Sequence, residues 1–311
     1  MNNTATTNRA ISAPVKNEKK LDDDINRLVK ETNTKLSLSD DAYCSEKAVL
    51  GAGGPISYTS EELDAMQIVY DKLTQDEKMA SSRIGLRALA LTTIVSKLRV
   101  DEAVEKYKKF FTALEACDVD SLSFSDTDVD SFLADPTILK QIASYHPCGT
   151  DYDGRSVMWI VSSEILVGEE RAATQTGILY WLAIHADDKS IRQGITFCID
   201  TSRQKSLSKH GNEKKLQKVN QSYPLRPQSI MIAGASTIMR VSINVLIKIA
   251  SIFTKQKILD RIEFVTVEQA SKSIPKPSIP KYLGGPGGGI DNTAEWVSKR
   301  LHSFPIPNIK R

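Results

Sequence analysis

A series of aspartates is the first group of residues whose spacing suggests chemistry. Asp126, Asp128 and Asp130 stand at alternate positions, as at the start of a calcium-binding loop. Such a loop needs Gly at its sixth position and Glu at its twelfth, and this chain has Ser131 and Thr137 there. The ligand set is therefore incomplete, and we expect a solvated turn that caps a helix at residues 131–133.

The histidines, the cysteines and the other turn aspartates form no catalytic or metal-binding pattern. The four histidines lack metal-ligand spacing, and the four cysteines form no CxxC pair, which favours a reduced, intracellular protein. Asp151, Asp153 and Asp200 are candidate catalytic carboxylates, but no base, nucleophile or cofactor motif accompanies them. Turn and strand-end roles are favoured, so we predict no catalytic residue, no metal and no cofactor.

Nucleotide-binding and hydrolase motifs are also missing. The chain contains no P-loop, no GxSxG and no HExxH. Residues 284–289 (GGPGGG) satisfy a loose glycine pattern, but they follow a proline-rich stretch rather than a clear strand. A flexible loop is the favoured interpretation, and a cofactor-dependent enzyme remains only as an alternative function.

Length and composition limit the remaining classes. The chain has 311 residues, 41% of them hydrophobic, and a net charge of +3, which fits one large or two modest domains and indicates no nucleic-acid partner. No run of 18 apolar residues exists, so no membrane span is predicted. The N-terminal residues lack the apolar core of a secretory signal, although a weak organelle transit peptide stays open.

The elements that would position a site fall into two parts. Residues 1–56 are polar and predict a disordered arm, and residues 57–140 predict a helical lobe. Thr59 precedes Glu62 by three residues and Thr74 precedes Glu77 by three, so both threonines are predicted helix caps. Residues 141–301 then predict an α/β domain, and residues 302–311 a C-terminal tail.

The α/β prediction depends on alternating strand and helix patterns. Strand patterns occur at 157–163, 194–200, 229–233 and 261–267, with helical patterns at 171–186 and 239–259 between them. Strand–helix–strand units place parallel strands in one sheet. The helix at 239–259 is apolar on nearly all sides, which leaves two interpretations: an interior helix, or a lid over a lipid-sized cavity.

Five segments, in order, resemble the CRAL-TRIO family of lipid-binding and lipid-transfer proteins. They are residues 149–160 (GTDYDGRSVMWI), 194–200 (GITFCID), 223–236 (YPLRPQSIMIAGAS), 257–265 (KILDRIEFV) and 279–285 (IPKYLGG). The family includes phosphatidylinositol-transfer, tocopherol-transfer and retinaldehyde-binding proteins. The resemblance implies a helical lobe followed by a mostly parallel sheet, which floors an apolar pocket closed by a gate helix.

The resemblance also implies site residues. Lys97, Asp151 and Arg261 match the positions of head-group residues, with surface or turn roles as their alternatives. Where phosphatidylinositol binders carry an acid and a hydroxyl, this chain has Leu225 and Ile258, so the lipid stays open. The gate helix would present Met239, Ile243, Leu246, Ile249 and Phe253. The apolar ligand contacts would be Trp159 and Phe197.

These observations predict a non-enzymatic lipid-binding protein. It would be a cytoplasmic monomer that holds one phospholipid or other hydrophobic molecule and meets membranes transiently as a peripheral protein. The alternative is a regulatory scaffold whose lipid-binding domain recruits it to membranes or presents lipid to a partner enzyme.

Overall fold

The computed structural model describes residues 53–142, 145–146, 149–161, 170–200, 218–219, 221–234, 260–279 and 292–311. The predicted arm up to residue 52 and the predicted helix at 239–259 therefore lie outside the described residues. The predicted domain boundaries stay predictions.

Helices form the first part of the described chain, as the predicted helical lobe requires. They are α1 (Ser60–Thr74), α2 (Leu86–Val95), α3 (Val100–Glu115), α4 (Val129–Leu133) and α5 (Pro136–Ile142), with 3₁₀ turns at Ser81–Arg83 and Ser123–Ser125. α2 is buried on all sides because it packs against α1, α3 and two later helices. Its sequence LRALALTTIV is accordingly apolar around most of the helix.

The two predicted threonine caps have different outcomes. Thr59 caps α1 in a capping box: its hydroxyl accepts the Glu62 amide at 3.2 Å, and its amide donates to the Glu62 carboxylate at 2.9 Å. The prediction for Thr74 is wrong, because Thr74 is the last residue of α1. Its hydroxyl donates back to the carbonyl oxygens of Tyr70 and Asp71 at 3.2 and 3.0 Å, so it is not available to cap a new helix.

The prediction of a solvated turn holds for only part of the aspartate series. Asp128 caps α4 by accepting the Ser131 amide at 3.2 Å, as expected. Asp126 is instead half-buried, and it accepts the amides of Leu86 and Arg87 at the start of α2. Burial raises the pKa of Asp126, and these amides and the Arg87 charge oppose that rise.

The second part is an α/β unit with a four-stranded, all-parallel sheet. Its elements are β1 (Val157–Val161), α6 (Glu170–Ile184), α7 (Asp188–Gln193), β2 (Ile195–Asp200), β3 (Pro227–Ala233), β4 (Ile262–Val265) and α8 (Val267–Ser273). The strand order in space is β1-β2-β3-β4, the same as in sequence. A 3₁₀ turn at Lys276–Ser278 and α9 (Thr293–Ser303) follow. The predicted α/β fold class is confirmed.

A glycine makes the tight entry into β2 possible. Gly194 has a φ of +96°, and a Cβ atom there would lie 2.1 Å from the carbonyl oxygen of Arg226. The same carbonyl accepts the amide of Ile195 at 3.1 Å, so the starts of β2 and β3 must approach closely. Only glycine meets both the dihedral and the steric requirement.

One large apolar cluster, called here the main core, holds the helices together. It joins residues of α1, α2 and α3 to α6 and to Trp296, Val297, Leu301 and Phe304 at the end of the chain. α9 therefore packs against α6 rather than against the sheet. No helix in the described ranges is long and apolar enough to cross a membrane.

Candidate functional site

Six apolar side chains form a regular grid on one face of the sheet. The strand register aligns Phe197 with Ile230 and Ile262 in one row, and Ile199 with Ile232 and Phe264 in the next. Because side chains alternate along each strand, all six point to the same face. With strands about 4.8 Å apart, this apolar grid spans about 10 Å across the sheet.

The apolar grid is only partly covered. Phe197 is 7% exposed and joins the main core, and Ile232 is 4% exposed. Ile199, Ile262 and Phe264 are half-buried around Ile232 and form a cluster separate from the main core. The grid is therefore a continuous apolar surface that packs against helices at one end and keeps partial exposure at the other.

The opposite face of the sheet is buried apart from Glu263 on β4, which is exposed. A buried cluster joins four strand residues to Ala270 in α8 and to Ile274, the residue after α8. The strand residues are Trp159, Cys198, Met231 and Val265. The indole N–H of Trp159 donates to the carbonyl oxygen of Ser278 at 2.9 Å, and its side chain is 2% exposed. The structure therefore does not bring Trp159 and Phe197 together, because the sheet lies between them.

Asp151 is engaged within its own turn. One carboxylate oxygen accepts the amides of Asp153 and Arg155 at 3.0 and 2.9 Å. The other accepts the Arg155 guanidinium at 2.7 Å and the Thr196 hydroxyl at 2.9 Å. Asp151 is 5% exposed, so the carboxylate fixes the turn before β1 against the start of β2.

Arg261 stands at the residue before β4, on the edge where all four strands begin. Its side chain is half-buried, and its guanidinium donates to the carbonyl oxygen of Pro227, the first residue of β3. Arg226 donates in the same way to the carbonyl oxygen of Arg192. Within the described ranges neither guanidinium has a carboxylate partner, so each keeps N–H donors that can meet an anion.

Lys97 lies in the turn between α2 and α3. Its side chain is exposed, its φ is +56°, and its amide donates to the Ile94 carbonyl at 2.8 Å. In the described part of the chain its ammonium group has no ion-pair partner. No contact between described residues joins Lys97 to Arg261.

The other implied residues divide between the core and the undescribed ranges. Leu225 is half-buried and packs against the main core. Ile258 and the five gate-helix residues, Met239, Ile243, Leu246, Ile249 and Phe253, lie outside the described residues.

A buried polar network was not foreseen from the sequence. The guanidinium of Arg300 donates to the carboxylate of Asp187 at 2.8 Å and to the carbonyls of Ala183 and Ile184 at 2.8 and 3.1 Å. Asp187 also accepts the Ser156 hydroxyl at 3.0 Å and the Ser190 amide at 2.7 Å. The two charged side chains are 1% and 0% exposed, so α9 is joined to the start of β1 and of α7 by a fully buried ion pair.

A signal for this network is present in the sequence. Arg300 lies on the same side of α9 as Trp296, and both side chains are buried. A charge within an apolar helical stripe implies a buried partner. His185, beside Asp187, is also fully buried, and desolvation lowers its pKa to about 4.

The element order, helices followed by a parallel sheet with interleaved helices, defines an α/β protein. Residues 142–285 match the family model of the CRAL/TRIO domain, which confirms the resemblance; the match begins at the end of α5 and includes all four strands. This part of the chain is therefore similar to the CRAL/TRIO domain, a domain type that binds lipids or other small hydrophobic ligands and is generally non-enzymatic. No curated protein matches the chain significantly.

Proposed function

We propose that the chain binds one lipid against the apolar grid and transfers it between membranes. The observation that supports this is the half-buried cluster of β-branched and aromatic side chains, Ile199, Ile262 and Phe264, around Ile232. On the other face of the sheet the corresponding side chains are closed by a helix. An acyl chain that leaves water for such a surface gains about 0.8 kcal/mol per buried CH₂ group.

The head group is proposed to lie at the edge where the strands begin. Among the described residues Arg261 has no carboxylate partner there, and a guanidinium binds phosphate through two parallel hydrogen bonds. Lys97 is a second proposed head-group contact, and Asp151 is proposed to act mainly by holding the turn of that edge. Because Leu225 packs into the core in place of an acid, we propose a phospholipid whose head group is not inositol.

Membrane contact is proposed to involve the segment at 239–259. Its residues Met239, Ile243, Leu246, Ile249 and Phe253 would face the ligand when closed and the bilayer when open. The protein would then be cytoplasmic and monomeric, and would associate only transiently with membrane surfaces.

The experiment that tests ligand binding is native mass spectrometry of the purified chain, followed by lipid extraction and identification. A stoichiometric adduct of lipid mass is expected. Phe264→Ser should weaken uptake from mixed vesicles about tenfold or more, because it removes a large apolar contact. Its neighbour Glu263 is exposed on the opposite face of β4, so Glu263→Ser is the matched control and should leave uptake unchanged.

Two outcomes would contradict this proposal. One is a bare chain that takes up no lipid after incubation with mixed vesicles. The other is an equal effect of Phe264→Ser and Glu263→Ser, which would show that the apolar grid does not contact the ligand.

The role of Arg261 has its own test. Arg261→Met should weaken a phospholipid ligand while a neutral sterol or tocopherol is hardly affected, because only the phospholipid carries a phosphate. An equal loss for both ligand classes would remove Arg261 from the head-group site.

Transfer and presentation are separated by a vesicle assay. A transfer protein moves a fluorescent lipid between donor and acceptor vesicles without any other protein. The alternative function, a regulatory protein that presents its lipid to a partner enzyme, predicts a bound lipid but no transfer in this assay.

A further inference from the structure

An arginine precedes each of the four strands, at the edge where the strands begin. Because the strands are all parallel, their starts lie side by side on this edge, and neighbouring strands are about 4.8 Å apart. In chain order the four residues are Arg155, Arg192, Arg226 and Arg261. Their comparable positions allow the surroundings of one guanidinium to be compared with those of the next.

The arginines ahead of β1 and β2 are neutralised by carboxylates. Each of the two forms ion pairs with two acidic side chains. The pairs are Arg155 with Asp151 and Asp153, both at 2.7 Å, and Arg192 with Glu62 and Asp188. This half of the edge therefore needs no further anion.

The arginines ahead of β3 and β4 have no carboxylate partner among the residues that the structure describes, and both are half-buried. The guanidinium of Arg226 donates to the carbonyl oxygen of Arg192, and that of Arg261 donates to the carbonyl oxygen of Pro227. Since Pro227 directly follows Arg226, the Arg261 side chain reaches the start of the strand that Arg226 precedes. Two cations thus stand at the starts of neighbouring strands, and each is hydrogen-bonded only to a neutral carbonyl group in the described ranges.

This arrangement favours an anion at the second half of the edge. A half-buried cation without a counter-charge loses part of its hydration and gains no compensating attraction. Two such cations on adjacent strands also repel each other. An anion that contacts both removes these two costs, and guanidinium groups bind phosphate oxygens through parallel hydrogen bonds.

We propose that Arg226 and Arg261 together bind a phosphate monoester dianion, supplied by the head group of phosphatidic acid or by a soluble phosphate ester. A monoester carries about −1.5 to −2 charges at pH 7, which matches two guanidinium groups, whereas a phosphodiester carries a single charge. A choline or ethanolamine head group would also bring an ammonium group towards two cations. The inference deepens the head-group part of the proposed function, and it rests on that function for the lipid source.

The first measurement offers the full chain vesicles with equal amounts of phosphatidic acid, phosphatidylglycerol and phosphatidylcholine, and identifies the bound lipid by native mass spectrometry. Phosphatidylglycerol is the control for negative charge alone, because its phosphate is a diester. Phosphatidic acid should be enriched about tenfold or more over both other lipids. Arg226→Gln should reduce this enrichment about tenfold, because it removes one charge-assisted contact. Arg171→Gln removes an exposed arginine in the first turn of α6 and should leave the enrichment unchanged.

The second measurement separates the two sources of the monoester. The chain without lipid is titrated with glycerol 3-phosphate in a calorimeter, and glycerol is the control. Binding at millimolar concentration that Arg226→Gln weakens about tenfold would assign the site to a soluble phosphate ester. Enrichment of phosphatidic acid without such binding would assign it to the lipid head group.

Two results would overturn the inference. One is equal uptake of phosphatidic acid and phosphatidylglycerol together with no binding of glycerol 3-phosphate at millimolar concentration. The other is an equal effect of Arg226→Gln and Arg171→Gln. Equal uptake of all three lipids rejects the lipid source but leaves lipid binding itself intact, whereas a chain that takes up no lipid contradicts the proposed function, and the calorimetric titration then decides on the anion site.

Folding of the variants is checked by circular dichroism. If Arg226→Gln does not fold, Arg226→Lys takes its place, because it keeps the charge and loses the parallel pair of hydrogen bonds. It should reduce the enrichment about threefold. An enrichment equal to that of the unchanged chain would remove Arg226 from the site.

Discussion

The buried ion pair between Arg300 and Asp187 allows a quantitative prediction. Arg300→Met keeps an unbranched apolar stem but removes the guanidinium, so the Asp187 carboxylate is left without a counter-charge at 0% exposure. It would retain the hydroxyl of Ser156 and the amide of Ser190 as donors. Breaking one side of such a pair leaves an uncompensated buried charge, which costs about 3–5 kcal/mol.

This cost is large compared with the total stability of a domain, about 5–15 kcal/mol. The substitution also removes the donors to the carbonyls of Ala183 and Ile184, which places the expected loss at the upper end. Asp187→Asn should be comparably destabilising, because it removes the carboxylate that neutralises the buried Arg300 guanidinium. The double substitution removes both charges, and its cost should be smaller than the sum by about 2 kcal/mol or more.

Urea-induced unfolding of the four chains measures this coupling energy, provided that the dependence on urea is equal in all of them. The matched control is the pair of Lys299 and Glu295 on the same helix, 2.6 Å apart and 54% and 55% exposed. Exposed pairs at this spacing contribute about 0.3–0.5 kcal/mol. If the coupling at Arg300 and Asp187 is no larger than that of the control pair, the inferred role of burial is wrong.

Two further predictions concern His185 and Gly194. Burial lowers the pKa of His185 to about 4 from 6.5. As the pH falls below 6.5, the unfolded chain therefore binds a proton at this residue and the folded chain does not, so the free energy of unfolding decreases. The loss approaches about 1.4 kcal/mol per pH unit well below pH 6.5, so this residue should remove about 1.6 kcal/mol between pH 6.5 and pH 5, measured by urea unfolding. His185→Gln should flatten that part of the pH profile, and an unchanged slope would contradict a neutral, buried imidazole. Gly194→Ala should cost about 2 kcal/mol or more, because the new methyl group meets the Arg226 carbonyl at 2.1 Å in addition to the strained φ of +96°. Gly54→Ala, with a φ of +77° and no atom within 4 Å, is the control and should cost only about 1 kcal/mol in the same thermal or urea unfolding measurement.

Strands and helices with a clear local pattern could be predicted from the sequence. The strand expected at 194–200 is Ile195–Asp200, and that expected at 261–267 is Ile262–Val265. The second strand ends early because Thr266 caps α8, accepting the Gln269 amide at 3.0 Å. A hydroxyl residue at the end of an alternating run serves equally well in a strand or as a cap, so local pattern alone does not decide between them.

Partners that are far apart in sequence could not be predicted. Asp126 was expected in a solvated turn, but its carboxylate binds amides 40 and 39 positions earlier, at the start of α2. Similarly, Trp159 and Phe197 are both apolar strand residues, and only the register between β1 and β2 shows that they face opposite sides of the sheet. Lys97, Asp151 and Arg261 remain a prediction as a common site, because no described contact joins them.

The separation between Asp187 and Arg300 also has a consequence in time. Arg300 follows Asp187 by 113 residues, and a ribosome adds about 5–20 residues per second. During synthesis, roughly 6 to 23 seconds therefore pass between the addition of Asp187 and the addition of Arg300. Throughout this interval α6 lacks the helix that packs against it, so the nascent chain exposes apolar surface to chaperones and proteases until α9 emerges.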